Sequence, residues 1–355
     1  MLKNNHGLRD CLIMACCVGA LGAFGAFFRW LQMQIARDPD TGLMDPSVLN
    51  YIVPLIIIIA AAALLWLVRS LDEYRLSRTE AEEYLAAHKD ETEAPDFGKC
   101  EYPTGLYEAM RFTSLAYIIL AWLIALIMMV GGVLTLADSA LDAQRGFYVV
   151  ISALAVLSGL SFPLVCNAAR KRYSPSLVSI FMALPVIMYC LWLIVCYRAN
   201  SNNPNVWLYA VEVIAVCAVI LALLASAGYA FGKADPKRAC FLVFFGAFMC
   251  ITTLSDSRYM GLELIILATA GMLLLEGWLI VLNRRRLPAG EEPAAPADEA
   301  EPEPKGQPEP EEEETVIEAG AAEDAPEPTI QAPPQKKKKT RPSDEDVERI
   351  MQEYK

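Results

Sequence analysis

At 355 residues, with 55% hydrophobic and 20% charged side chains, the chain is too apolar for a set of soluble domains and reads as an integral membrane protein. Its net charge of -12 is misleading, because residues 288–335 hold 15 Asp and Glu against one Lys, so that segment carries -14 and the rest +2. The acidity belongs to one tail, and nothing in the membrane body selects a basic partner.

A bilayer core of about 30 Å needs about 20 apolar residues of helix. That ruler predicts eight spans: Cys11 to Phe28, Tyr51 to Val68, Phe112 to Ala137, Phe147 to Cys166, Leu177 to Tyr197, Val206 to Phe231, Ala239 to Leu254 and Tyr259 to Leu282. The expected fold is therefore an all-α membrane bundle of four hairpins over residues 1–286.

The first span follows a basic start, Lys3 and Arg9, as a signal peptide would. No clear A-x-A cleavage site follows it, and Arg29-Trp30 closes it as an interface anchor does. Ala15, Gly19 and Ala23 recur every four residues, a small-residue stripe expected to face another helix; Gly228 and Gly232 repeat the spacing. Between the first two spans, Asp38, Asp40 and Asp45 lie among Pro39, Gly42 and Pro46 without an EF-hand spacing, which predicts a solvated turn.

After the second span, Leu71, Tyr74, Arg78, Ala81, Leu85 and His88 alternate in steps of three and four. They predict that the helix continues to about His88, with Pro95 as a stop beyond it. Leu106, Tyr107 and Met110 beside Arg111 predict an interfacial helix leading into the third span.

Orientation follows from Lys and Arg on alternate sides of the spans. Seventeen lie on one side, including Arg170 to Arg172 and Arg284 to Arg286. Five lie on the other: Arg29, Arg37, Arg145, Arg198 and Arg258. Under the positive-inside rule both termini are cytoplasmic, and the cell membrane is the expected location. Removing the short seventh span would invert this agreement.

Beyond Arg286 the chain turns to Pro, Glu and Ala. Such a sequence buries too little apolar surface to offset chain entropy, so residues 287–342 read as a disordered linker. Lys336 to Lys339 offer charge to anionic lipid. Ser343 then opens a short amphipathic helix over residues 343–355, with Val347, Ile350, Met351 and Tyr354 on one face, a candidate docking peptide for a cytoplasmic protein.

Chemistry in the spans rests on few groups. Glu276 lies about 10 Å inside the cytoplasmic end of the last span, too deep for its short side chain to snorkel. Glu212 and Glu263 lie nearer the outer ends. Pro54, Pro163 and Pro185 mark positions where helix carbonyls are freed.

The ten cysteines, mostly within apolar runs and without a C-x-x-C, read as small apolar fillers. His6 and His88 lie far from any cysteine cluster, so no metal or other cofactor is expected. Phosphate-loop, zinc-protease and serine-hydrolase motifs are absent, which argues against an enzyme. The basic triplets read as topology signals, not as a nucleic-acid grip.

Two functions follow: a non-enzymatic scaffold or accessory protein that docks a partner through residues 343–355, or a secondary transporter of a small solute or ion working through Glu276. A short echo, Thr135-Leu136-Ala137-Asp138-Ser139 against Thr253-Leu254-Ser255-Asp256-Ser257, places two similar corners at the outer ends of spans. There Asp138 and Asp256 are expected to cap the helices that follow.

Overall fold

The computed structural model describes residues 5–36, 47–89, 93–112, 114–140, 145–171, 175–201 and 206–287. The predicted acidic turn, the linker beyond Leu287, Lys336 to Lys339 and the terminal helix with Val347, Ile350, Met351 and Tyr354 lie outside the described residues.

Eight helices are long and apolar enough to cross a membrane, one for each predicted span. They are α1 (Asn5–Ile35), α2 (Leu49–Ser70), α5 (Leu115–Asp138), α6 (Arg145–Lys171), α7 (Pro175–Asn200), α8 (Val206–Gly228), α9 (Pro236–Thr253) and α10 (Met260–Leu282). Between α2 and α5 lie β1 (Glu73–Arg75), α3 (Arg78–Ala87), β2 (Phe97–Glu101) and α4 (Leu106–Ala109), and β3 (Arg285–Arg286) follows α10. Large apolar side chains such as Ile58, Trp66, Ile119 and Ile180 stay exposed on the bundle's outside, as lipid contact requires.

Helices α5 to α10 touch in sequence, and α10 returns to α5, so six spans close a ring; α1 and α2 pack on its α9 side. The short α9 begins with Asp235 accepting the Arg238 amide and with Pro236 in its first turn, a strong start for a helix with few residues to spare. The tightest crossing joins α5 to α10. A Cβ on Gly261 would lie 2.2 Å from the Thr135 amide nitrogen, so only glycine allows the two backbones to meet there.

Helix α1 differs from expectation in two ways. It runs to Ile35, well past the predicted end at Phe28. Its packed face is Cys11, Met14, Val18, Gly22, Gly25, Arg29 and Gln32, each three or four residues after the last. Gly22 and Gly25 lie against Ile251 and Thr252 of α9, whereas Gly19 has nothing within 4 Å of its would-be Cβ. The close contact therefore uses the stripe beside Ala15, Gly19 and Ala23. Gly232 has φ +65 and ends the turn after α8, so the Gly228–Gly232 pair serves chain reversal and not helix contact.

The continuous helix predicted to His88 is interrupted. Helix α2 stops at Ser70, because the Leu71 carbonyl accepts from the Arg284 guanidinium and the Asp72 carbonyl accepts from the Cys100 amide. The chain then forms β1, antiparallel to β2, which pairs in turn with β3. Helix α3 restarts with a capping box, Ser77 bonding the Glu80 amide and Glu80 the Ser77 amide. Its signature, Ser-x-x-Glu at 77–80, is present in the sequence beneath the competing helical stripe.

A short helix, α4, is present where one was predicted ahead of the third span, held where Asn283 donates to the Ala109 and Arg111 carbonyls. Arg284 reaches Asp10 at 3.0 Å, and Arg286 stacks on Tyr74 at 4.3 Å. This basic triplet thus builds the small sheet as well as marking an edge. All ten cysteines are free thiols; burial pushes Cys100, in β2, above the ordinary thiol range, so it is a poor nucleophile.

Candidate functional site

The end of the bundle opposite the sheet holds a buried polar cluster. Arg29 has no exposed surface, and its Nε lies 2.7 Å from Asp256 Oδ1. Its other donors go to Gln32 Oε1 and to the Trp207 and Leu208 carbonyls, and Gln32 donates onward to Asn50 at the start of α2. Asp256 Oδ2 accepts from Arg258 at 2.7 Å. Arg258 Nε donates to Glu212 Oε1 at 3.1 Å, an oxygen that also accepts from Trp192 Nε1.

Arg29 is therefore not an interface anchor. Helix α1 continues past it, and the guanidinium joins α1 to the α9–α10 corner and to the first turn of α8. Asp256 is not a helix cap either, since both its oxygens are taken by arginines. Its counterpart Asp138 meets α10 and not the expected α6, accepting from the Gly261 amide at 3.4 Å. The two corners share a smaller feature: Thr135 and Thr253 each bond the carbonyl four residues back, closing a helix end.

Beside this cluster a cavity of about 390 Å³ lies between α6, α7, α8 and α10, lined by Tyr148, Trp192, Glu212, Arg258 and Tyr259 among others. That size is within the range of about 300–1,000 Å³ typical of small-molecule sites.

The same four helices enclose Glu276, about 27 Å along α10 from Arg258 at 1.5 Å per residue. Glu276 is 4% exposed and accepts from Ser226 of α8 at 2.7 Å. A void of about 20 Å³ adjoins it, lined by Ser161, Phe162, Phe181, Met182 and Ser226, room for about one water molecule. Among the described residues no cation reaches Glu276. Pro185, which lines this void, removes one amide donor from α7 opposite the carboxyl group.

Midway between vestibule and chamber, the Tyr189 hydroxyl donates to Thr269 at 2.7 Å, and the Tyr189 ring stacks on Trp192 at 5.6 Å. All three side chains are buried. Along one four-helix interior the order is a charged cavity, or vestibule, then the buried Tyr189, Trp192 and Thr269 side chains, then the buried Glu276 carboxyl group in its small chamber.

Glu212 was legible as an acid near an outer end, Glu276 as a deep one; each lines a separate space between the same four helices. Glu263 lies part-buried on α10 and takes no part in either cluster. Among the described residues there is no group of three or more His, Cys, Asp and Glu that would hold a metal ion. No family model, curated protein or solved structure matches this chain.

Proposed function

We propose that this protein is a secondary transporter of a small solute, with Glu276 as the group that binds the coupling proton. The observation that carries the reading is that α6, α7, α8 and α10 line both the charged vestibule and the chamber around Glu276. Transporter sites lie near the bilayer midplane between spans, reached alternately from either side. A carboxylate with one hydroxyl partner in an apolar chamber is completed by a proton.

The closure between the two spaces is weak enough to move. Side-chain hydrogen bonds between membrane helices average about 0.6 kcal/mol, so parting Tyr189 from Thr269 is within the reach of solute binding. A scaffold has no use for such a path. On this reading the tail helix 343–355 is an accessory that docks a partner or rests by Lys336 to Lys339 on anionic lipid.

The sheet end carries the excess of Lys and Arg and faces the cytoplasm, with both termini inside. Membrane-impermeant maleimide should label Ala143→Cys from outside intact cells and Ala234→Cys only after lysis; labelling of both from one side overturns this topology.

For transport, the full chain is reconstituted into liposomes loaded with a pH-sensitive dye. The liposomes are challenged with amino acids, sugars, nucleosides and monovalent cations under an imposed pH gradient. At least one solute should move protons faster than in empty liposomes, and deletion of residues 288–355 should leave that rate unchanged. Absence of any solute-dependent movement in either gradient direction would sink the reading.

A further inference from the structure

We infer that the vestibule binds a small zwitterion, a molecule carrying one ammonium and one carboxylate in the manner of an α-amino acid. The inference rests on the transport reading above and names its substrate class.

The first support is charge. The buried cluster holds two guanidinium groups, Arg29 and Arg258, and two carboxylates, Asp256 and Glu212, and so sums to zero. A solute with net charge would add an uncompensated charge beside ionic groups largely removed from solvent, Arg258 at 6% and Glu212 at 20% side-chain exposure, which is disfavoured. A zwitterion leaves the sum unchanged while still offering both ionic partners.

The second support is unused bonding capacity on opposite signs, side by side. A guanidinium has five N–H donors. Arg258 directs one from each nitrogen, to Glu212, the Thr253 carbonyl and Asp256, which leaves one hydrogen on each terminal nitrogen. Glu212 receives both Trp192 and Arg258 on Oε1, and with the Cys196 thiol beside the carboxylate no N–H or O–H donor among the described residues reaches Oε2. Arg258 and Glu212 both line the 390 Å³ cavity. A carboxylate therefore has donors at Arg258, and an ammonium has an acceptor at Glu212.

The third support is the wall. Tyr148 and Tyr259 meet edge to face at 5.8 Å, and with Trp192 they give the cavity three aromatic side chains. Aromatic faces attract ammonium groups within about 6 Å. The ion pair fixes the polar end of such a solute, and the aromatic wall takes the remainder.

The test uses the full chain in lipid nanodiscs and the 20 standard amino acids at about 1 mM, the weak end of small-ligand affinity. Thermal stabilisation is measured first, followed by calorimetry on those that bind. At least one amino acid should bind, and its methyl ester and N-acetyl derivative should each bind at least tenfold more weakly, because each lacks one of the two charges.

Glu212→Gln should lose binding of the parent amino acid by a similar factor. Where that variant does not fold, the ester and N-acetyl comparison on the natural chain decides. Failure of all 20 to bind, or derivatives that bind as well as the parent, overturns the inference. Binding without proton-coupled flux keeps this inference and overturns transport; flux of a solute lacking the paired charges does the reverse.

Discussion

Arg29→Met is expected to be the most damaging single substitution in the described bundle. The guanidinium serves four acceptors on three separate stretches of chain: Gln32 in α1, the Trp207 and Leu208 carbonyls in α8, and Asp256 at the α9–α10 corner. Its removal leaves the buried cluster with one cation, Arg258, against two carboxylates. Breaking a buried pair from one side typically costs about 3–5 kcal/mol, because the surviving charge is left uncompensated. The midpoint of thermal unfolding in detergent should fall by about 5–8 °C.

Arg29→Lys keeps the charge but cannot reach four acceptors from one nitrogen, so its loss should be intermediate. Adding Asp256→Asn to Arg29→Met restores electrical balance, and the double variant should be less destabilised than the sum of the two single ones. Strict additivity would show that Arg29 acts through packing alone.

This arginine also marks the limit of what the sequence discloses. The spans were legible because an apolar run of about 20 residues is a local property, set by the bilayer and independent of neighbours. Glu276 was legible for the same reason: the one acid deep within an apolar run. Arg29 was visible but misread, since Arg-Trp at the end of an apolar run has the composition of an interface anchor. Two clues pointed inward. Gln32 repeats the polar character three residues on, on the same helix face, and both Arg29 and Arg258 belong to the five cations on the sparse side of the charge count.

Other features depend on partners distant in sequence. The small sheet joins residues 73–75, 97–101 and 285–286, and the break after Ser70 depends on Arg284. The stripe from Leu71 to His88 has helical spacing, yet a long-range pairing overrides it. The placement of Glu212, Tyr189, Thr269 and Glu276 along one interior is of the same kind. Each residue is ordinary alone, and only the packing of α6, α7, α8 and α10 places them in order.

Glu276→Gln is expected to abolish proton-driven solute movement while sparing exchange. Glutamine keeps the side-chain length and can still accept from Ser226, so the chamber and the helix contacts survive; unchanged thermal unfolding checks this. What is lost is the ability to take up and release a proton. Solute-dependent acidification in liposomes should therefore fall to the level of empty vesicles. Counterflow of labelled against unlabelled solute, with no pH gradient, should persist because it requires only that the loaded protein reorient.

Ser226→Ala should have a smaller effect. A hydrogen bond to a charged group contributes about 1.5–3 kcal/mol, and its loss alters the balance between protonated and ionised carrier without removing the titrating group. The rate should drop and the pH profile should move, with coupling retained. If Glu276→Gln slows coupled flux and counterflow equally, the carboxylate is a structural link between α8 and α10, and the coupling site lies elsewhere. If coupled flux is untouched, Glu276 has no part in transport at all. Only the split between the two measurements assigns it the proton.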